Sequence, residues 1–111
     1  MKCLAQGLLA QNVRIVIRPV IMNWVPDFRQ VKAFVAVAEH RSFTIAARQI
    51  FLTQSAVSHS IRALEDQLGC KLLDRSRRVV KLTPQGLIFL RRCKRVMQEL
   101  EEAQRDLENC G

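Results

Sequence analysis

Between Leu52 and Gly69 the chain reads LTQSAVSHSIRALEDQLG, and its polar residues invite two chemical readings. Ser58, His59 and Asp66 are the residue types of a hydrolytic triad. Nucleophilic catalysis needs a serine and its base within hydrogen-bond reach, yet neighbours along a helix point about 100° apart. Ser58 and His59 therefore cannot serve one another, and no catalytic residue is assigned. The second grouping is Gln54, Ser55, Ser58, His59 and Arg62, which gather on one arc of the same helix. Surface helices ordinarily carry long Glu/Lys pairs in such places. An amide, short hydroxyls, an imidazole and a guanidinium instead suit hydrogen bonding to a polar surface approached closely. Base-pair edges are such a surface: glutamine matches adenine, arginine matches guanine, and hydroxyls reach bases or phosphates.

The elements that must hold this arc follow from spacing. Val57, Ile61, Leu64 and Leu68 recur at four, three and four, the buried stripe of a helix over about 54–68. Thr53 is its natural N-cap and Gly69 its stop. Upstream, Asp27 precedes a helical pattern of Phe28, Val31, Phe34, Val35 and Ala38. Ser42 or Thr44 can cap a second, short helix through about Ile50, with Ala46, Ala47 and Ile50 turned inward. Downstream, CKLLDRSRRVVKLT sets Leu72 and Leu73 against Val79, Val80 and Leu82 around a charged centre. This predicts a β-hairpin with Arg75, Arg77 and Arg78 at or near its tip. Phe34, Phe43, Leu64 and Leu72 are expected in the core.

Thr83 and Pro84 then mark a helix start, with threonine at the N-cap and proline at the first helical position. Gly86, Phe89, Cys93, Val96, Leu100, Ala103, Leu107 and Cys110 recur at alternating three and four up to the chain end. That 3.5-residue repeat suits a seam between helices. A helix of roughly 25 residues is about 37 Å long, more than a small core can cover. A second copy of the chain is the simplest partner, placing Cys93, Val96, Leu100, Ala103 and Leu107 at a homodimer seam. The expected architecture is mostly α: a winged helix-turn-helix, with a three-helix core and a β-hairpin wing, followed by a long dimerisation or linker helix. In that motif the second helix of the pair lies in the major groove of double-stranded DNA.

Charge supports an anionic partner. The 111-residue chain has a formal net charge of +8. Ten Lys/Arg against three acids fall between Arg62 and Arg95, whereas Val96 to Gly111 holds five acids and one Arg. A basic block of this kind points to nucleic acid ahead of a membrane surface. Cys3, Cys70, Cys93 and Cys110 show no C-x-x-C spacing, so neither a zinc site nor a disulfide framework is expected. They read as reduced thiols of a cytoplasmic protein. No cofactor is expected, and no apolar run approaches the roughly 18 residues of a membrane span. Residues 1–26 form an extension outside the fold; NVRIVIR within it could make a short strand ended by Pro19. The folded part then divides into a DNA-binding domain over 27–84 and a linker helix over 85–111.

Several segments in register, FVAVAE, SFTIAA, TQSAVSHSIRALEDQLG, LLDRS and LTPQG, resemble the DNA-binding domain of LysR-type transcriptional regulators. The match covers about Asp27 to Gly86 and continues along the last helix to about residue 108. It implies a recognition helix reading DNA through Gln54, Ser55, Ser58, His59 and Arg62. Ser42 and Thr53 would fix position on phosphates, and the wing arginines Arg75, Arg77 and Arg78 would meet phosphate or the minor groove. The resemblance also implies antiparallel pairing of linker helices into dimers, tetramers in longer members, and a larger effector-binding domain that is absent here. A two-fold dimer should favour an inverted repeat. Ser55 stands where the family commonly has proline, and His59, a weaker cation, where many members carry Arg or Lys. The rival to this expectation is a thiol- or metal-responsive winged-helix sensor, since Cys93 and Cys110 share the seam.

Overall fold

A computed structural model describes residues 26–76 and 78–110. The strand expected within residues 12–18 and the side chain of Arg77 lie outside them. The order is α1 (Phe28–His40), α2 (Phe43–Gln49), α3 (Gln54–Leu68), β1 (Leu73–Asp74), β2 (Lys81–Leu82) and α4 (Pro84–Cys110).

Each helix starts where its capping side chain stands. Asp27 accepts from the Arg29 amide at 2.9 Å, and Gln30 Oε1 accepts from the Asp27 amide at 3.2 Å, closing a capping box. Ser42, rather than Thr44, caps α2 by accepting from the Ile45 amide at 3.1 Å. Thr53 caps α3 through the Ala56 amide at 3.0 Å. At its far end Gly69 adopts φ 76°, and its amide donates to the Glu65 carbonyl at 2.8 Å. A side chain there would cost strain, which glycine avoids.

The core lies where α1, α2 and α3 converge, closed by the chain around β1 and by the first half of α4. Phe34, Val37, Val57, Ile61, Leu64 and Leu72 are its largest fully buried side chains. Ala46 and Ala47 bring α2 close, as short side chains allow. The Phe34 and Phe89 rings sit 5.7 Å apart at 47°, fastening α4 to α1. Phe43 is partly buried against the same core.

The hairpin is short and antiparallel, pairing Leu73 with Leu82 and Asp74 with Lys81. Val80 is buried, but Val79 is half exposed and lies outside the strand. Thr83 joins the wing to α4: its hydroxyl donates to the Lys71 carbonyl at 2.6 Å and accepts from the Gly86 amide at 3.0 Å. Gly86 is required here, because a Cβ at this position would run into the Leu72 carbonyl.

Within α4, Cys93 is 4% exposed and packs in the core of its own domain. The 3.5-residue repeat is continuous in sequence, but its first half packs inward through Gly86, Phe89 and Cys93. Every described residue from Gln98 to Cys110 is exposed, including Leu100 and Leu107. Val96 is also about half exposed. Lys94 pairs with Glu39 at 2.7 Å and ties the packed half to α1.

Candidate nucleic-acid interface

Gln54, Ser55, Ser58, His59 and Arg62 line one shallow depression of about 400 Å³ on α3. Four of them are exposed and Ser58 is half buried. The arc expected from helical spacing is therefore one open surface, anchored below by Val57, Ile61 and Leu64. Thr44 Oγ1 donates to Gln54 Oε1 at 3.3 Å, steadying the amide from the neighbouring helix. Sequence reasoning weighed Thr44 only as a cap; it is the second residue of α2.

Ser42 and Thr53 each use one oxygen lone pair on an amide of their own helix, and each retains a hydroxyl hydrogen for an outside acceptor. Of the first amides of α3, that of Ala56 is taken by Thr53, whereas those of Gln54 and Ser55 have no preceding helical carbonyl to meet, as at any helix start.

The three wing arginines separate. Arg78 is exposed, and Arg77 falls outside the described residues. Arg75, expected at or near the tip, instead turns inward. Its Nη1 donates to Ser58 Oγ at 3.2 Å, and its Nη2 lies 3.7 Å from Glu65 Oε1. Its guanidinium carbon stands 4.8 Å from the centre of the Phe43 ring, a cation–π distance. Burial pulls its pKa below the ordinary arginine range; Glu65 opposes that shift and the charge of Arg62 adds to it. β1 ends at Asp74, whose carboxylate turns the chain by accepting from the Ser76 amide and hydroxyl, so Arg75 opens the connection between the strands. Arg75 is left facing α3.

Glu65 was missed altogether. It is 3% exposed, and its Oε2 accepts from the Leu72 and Leu73 amides at 2.8 and 3.2 Å. Its Oε1 faces Arg75, and Lys71 Nζ at 3.9 Å. One buried carboxylate thus binds the recognition helix to the root of the wing. Buried carboxylates persist only when hydrogen-bonded and paired, and Glu65 is both. Phe51 was also overlooked: it sits in the α2–α3 turn at φ 60° and 92% exposed.

Burial pushes the Cys93 thiol up to about 11, which keeps it protonated and slow to react. That disfavours the thiol-sensor reading at this position. Among the described residues, no three His, Cys, Asp or Glu side chains are grouped to hold a metal ion. None of their helices is long and apolar enough to cross a membrane.

Comparison with known proteins agrees with this geometry. Residues 28–87 match the model of the bacterial regulatory helix-turn-helix protein, lysR family. The SDS degradation transcriptional activation protein of Pseudomonas sp. (strain ATCC 19151) is 46% identical over 88 residues, 77% of this chain and 29% of its own length. The glycine cleavage system transcriptional activator of Escherichia coli (strain K12) is 43% identical over 83 residues, 75% of this chain and 27% of its own. The chain thus spans under a third of the length of these relatives. Among solved structures, the BenM DNA-binding domain in complex with catB site 1 DNA superposes with a TM-score of 0.72 at 34% identity, covering 75% of this chain and 92% of that one. Full-length CbnR complexed with its target DNA gives 0.67 at 34% identity, covering 74% of this chain and 28% of that one.

Proposed function

Since the chain belongs to the lysR family of bacterial regulatory helix-turn-helix proteins, we propose that it reads double-stranded DNA in sequence-specific fashion as the DNA-binding part of a transcriptional regulator. The single observation that carries this reading is the open depression formed by Gln54, Ser55, Ser58, His59 and Arg62 on a helix whose other side is locked into the core. In the major groove, Gln54 and Arg62 supply the bidentate contacts to adenine and guanine, and Ser55 and His59 supply shorter donors and acceptors. Ser42, Thr53 and Arg78 hold the helix in register through phosphates. The working unit is a head over 27–84 and a linker helix over 85–111. The exposed Val96, Leu100, Ala103 and Leu107 pair two copies, so that two recognition helices address an inverted repeat. The protein acts in the cytoplasm, where its DNA is, and performs no catalysis itself.

The test is duplex binding across a salt series. Six neutralised phosphates give a slope of log K against log salt of about −5. Duplexes selected from a random pool should bind well above unselected ones. A slope near zero, or equal affinity for both pools, would overturn the reading.

A further inference from the structure

Ser58 and Arg75 approach from different elements, one on α3 and the other just past β1, and the contact between them has a chemical consequence. A guanidinium only donates hydrogen bonds, whereas a serine hydroxyl carries one hydrogen and two lone pairs. Arg75 Nη1, 3.2 Å from Ser58 Oγ, therefore occupies a lone pair and leaves the hydroxyl hydrogen to find an acceptor elsewhere. The adjacent positive charge also makes the remaining lone pair a poorer acceptor. Arg75 is itself fixed on three sides, by Ser58, by Glu65 and by the Phe43 ring, with 27% of its side chain exposed. Glu65 is anchored in turn by the Leu72 and Leu73 amides.

We propose that Arg75 is a positioning residue for base readout: held between Glu65 and Phe43, it presets the Ser58 hydroxyl as a hydrogen-bond donor toward the groove. The base opposite Ser58 is then one that offers an acceptor in the major groove (purine N7, guanine O6 or thymine O4) over the donor-only cytosine amine. This inference rests on the DNA-reading function proposed above. It gives Arg75 a role distinct from that of Arg78, which faces solvent on the wing. A lysine would put a single point charge in place of the planar guanidinium, whose Nη1 meets Ser58 while Nη2 faces Glu65 at ion-pair distance.

Duplexes selected from a random pool by the full chain provide the test, with Ser58→Ala, Arg75→Met and the double variant compared on selected and unselected DNA. Each single variant should lose roughly five- to tenfold on the selected duplex and less than about twofold on unselected DNA, since no phosphate contact is removed. The double variant should lose no more than the larger single loss, because both changes remove one shared contact. Repeated selection with either single variant should relax preference at the same base position, with the parent's salt slope retained. Arg75→Lys, which keeps a cation beside Glu65, carries the same comparison if Arg75→Met does not fold, and it should also relax that position. Additive losses, an equal loss on both pools, or a salt slope shallower by about one unit would make Arg75 a direct or independent contact and overturn the inference. A parent without sequence preference would remove the base-reading function itself. A parental preference left intact in Arg75→Met or Arg75→Lys would remove only the role of Arg75.

Discussion

Arg62 stands exposed in the depression on α3, close enough to Arg75 for their charges to oppose one another. Two like charges that share a flank need different duties, and their burial separates them. Arg75 is held inward by Glu65, whereas Arg62 is free to reach a guanine edge. Arg62→Ala should therefore weaken binding to a selected duplex by roughly 1–3 kcal/mol while unselected DNA loses much less. Titration of both duplexes checks this, and an equal loss would assign Arg62 to the phosphates. The arginine types in DRSRR were legible in the sequence, but their directions were not. Arg75 and Arg78 have the same chemistry, and only the turn at Asp74 decides which one faces α3. Glu65 was hidden for a similar reason. A carboxylate three residues before Leu68 reads as part of a solvated face until the Leu72 and Leu73 amides arrive to bury it.

Among the elements, the junction of wing and linker helix has the least tolerance. Thr83 satisfies a carbonyl and an amide at once, and Gly86 lets the first turn of α4 pass against the Leu72 carbonyl. Gly86→Ala places a methyl group where backbone already stands. The expected cost of overpacking is about 1–3 kcal/mol, a fall of roughly 5–20 °C in the melting temperature of a domain this size. A thermal melt followed by circular dichroism checks it, and an unchanged midpoint would mean that the junction relaxes freely. The sequence marked this place well: Thr–Pro and a following glycine fit a helix start. Helix boundaries were also legible, since Asp27, Ser42, Thr53 and Gly69 all stand where short-range hydrogen bonds require them. The wing was less so. Its strands are two residues each, too short to show alternation, and Val79 lies outside them despite its residue type.

At the scale of the molecule, α4 is divided between two uses. Its first half completes the domain core through Phe89 and Cys93, and from Gln98 onward the described part has no cover from its own chain. Leu100 is 53% and Leu107 74% exposed on a helix of 27 residues. Burying these side chains against a second copy is the interaction proposed above. Leu100→Asp would place unpaired charges at that seam, each costing several kcal/mol if desolvated. Sedimentation should then show monomers at concentrations where the parent is dimeric. An unaltered dimer would relocate the interface. Binding to a single half-site should survive, because Leu100 lies outside the depression on α3.

By itself the sequence determined the periodicities, the caps and the net charge of +8. Those are properties of neighbours within about four residues, together with a sum over the chain, and they were enough to name the fold and the reading helix. Tertiary structure alone decided which part of the α4 repeat is core, that Cys93 is buried in it, and that Arg75 turns from the hairpin onto Ser58 and Glu65 of α3. Burial and long-range pairing depend on what arrives from a distant part of the chain. A repeat of threes and fours looks the same whether the helix it meets is its own or another's.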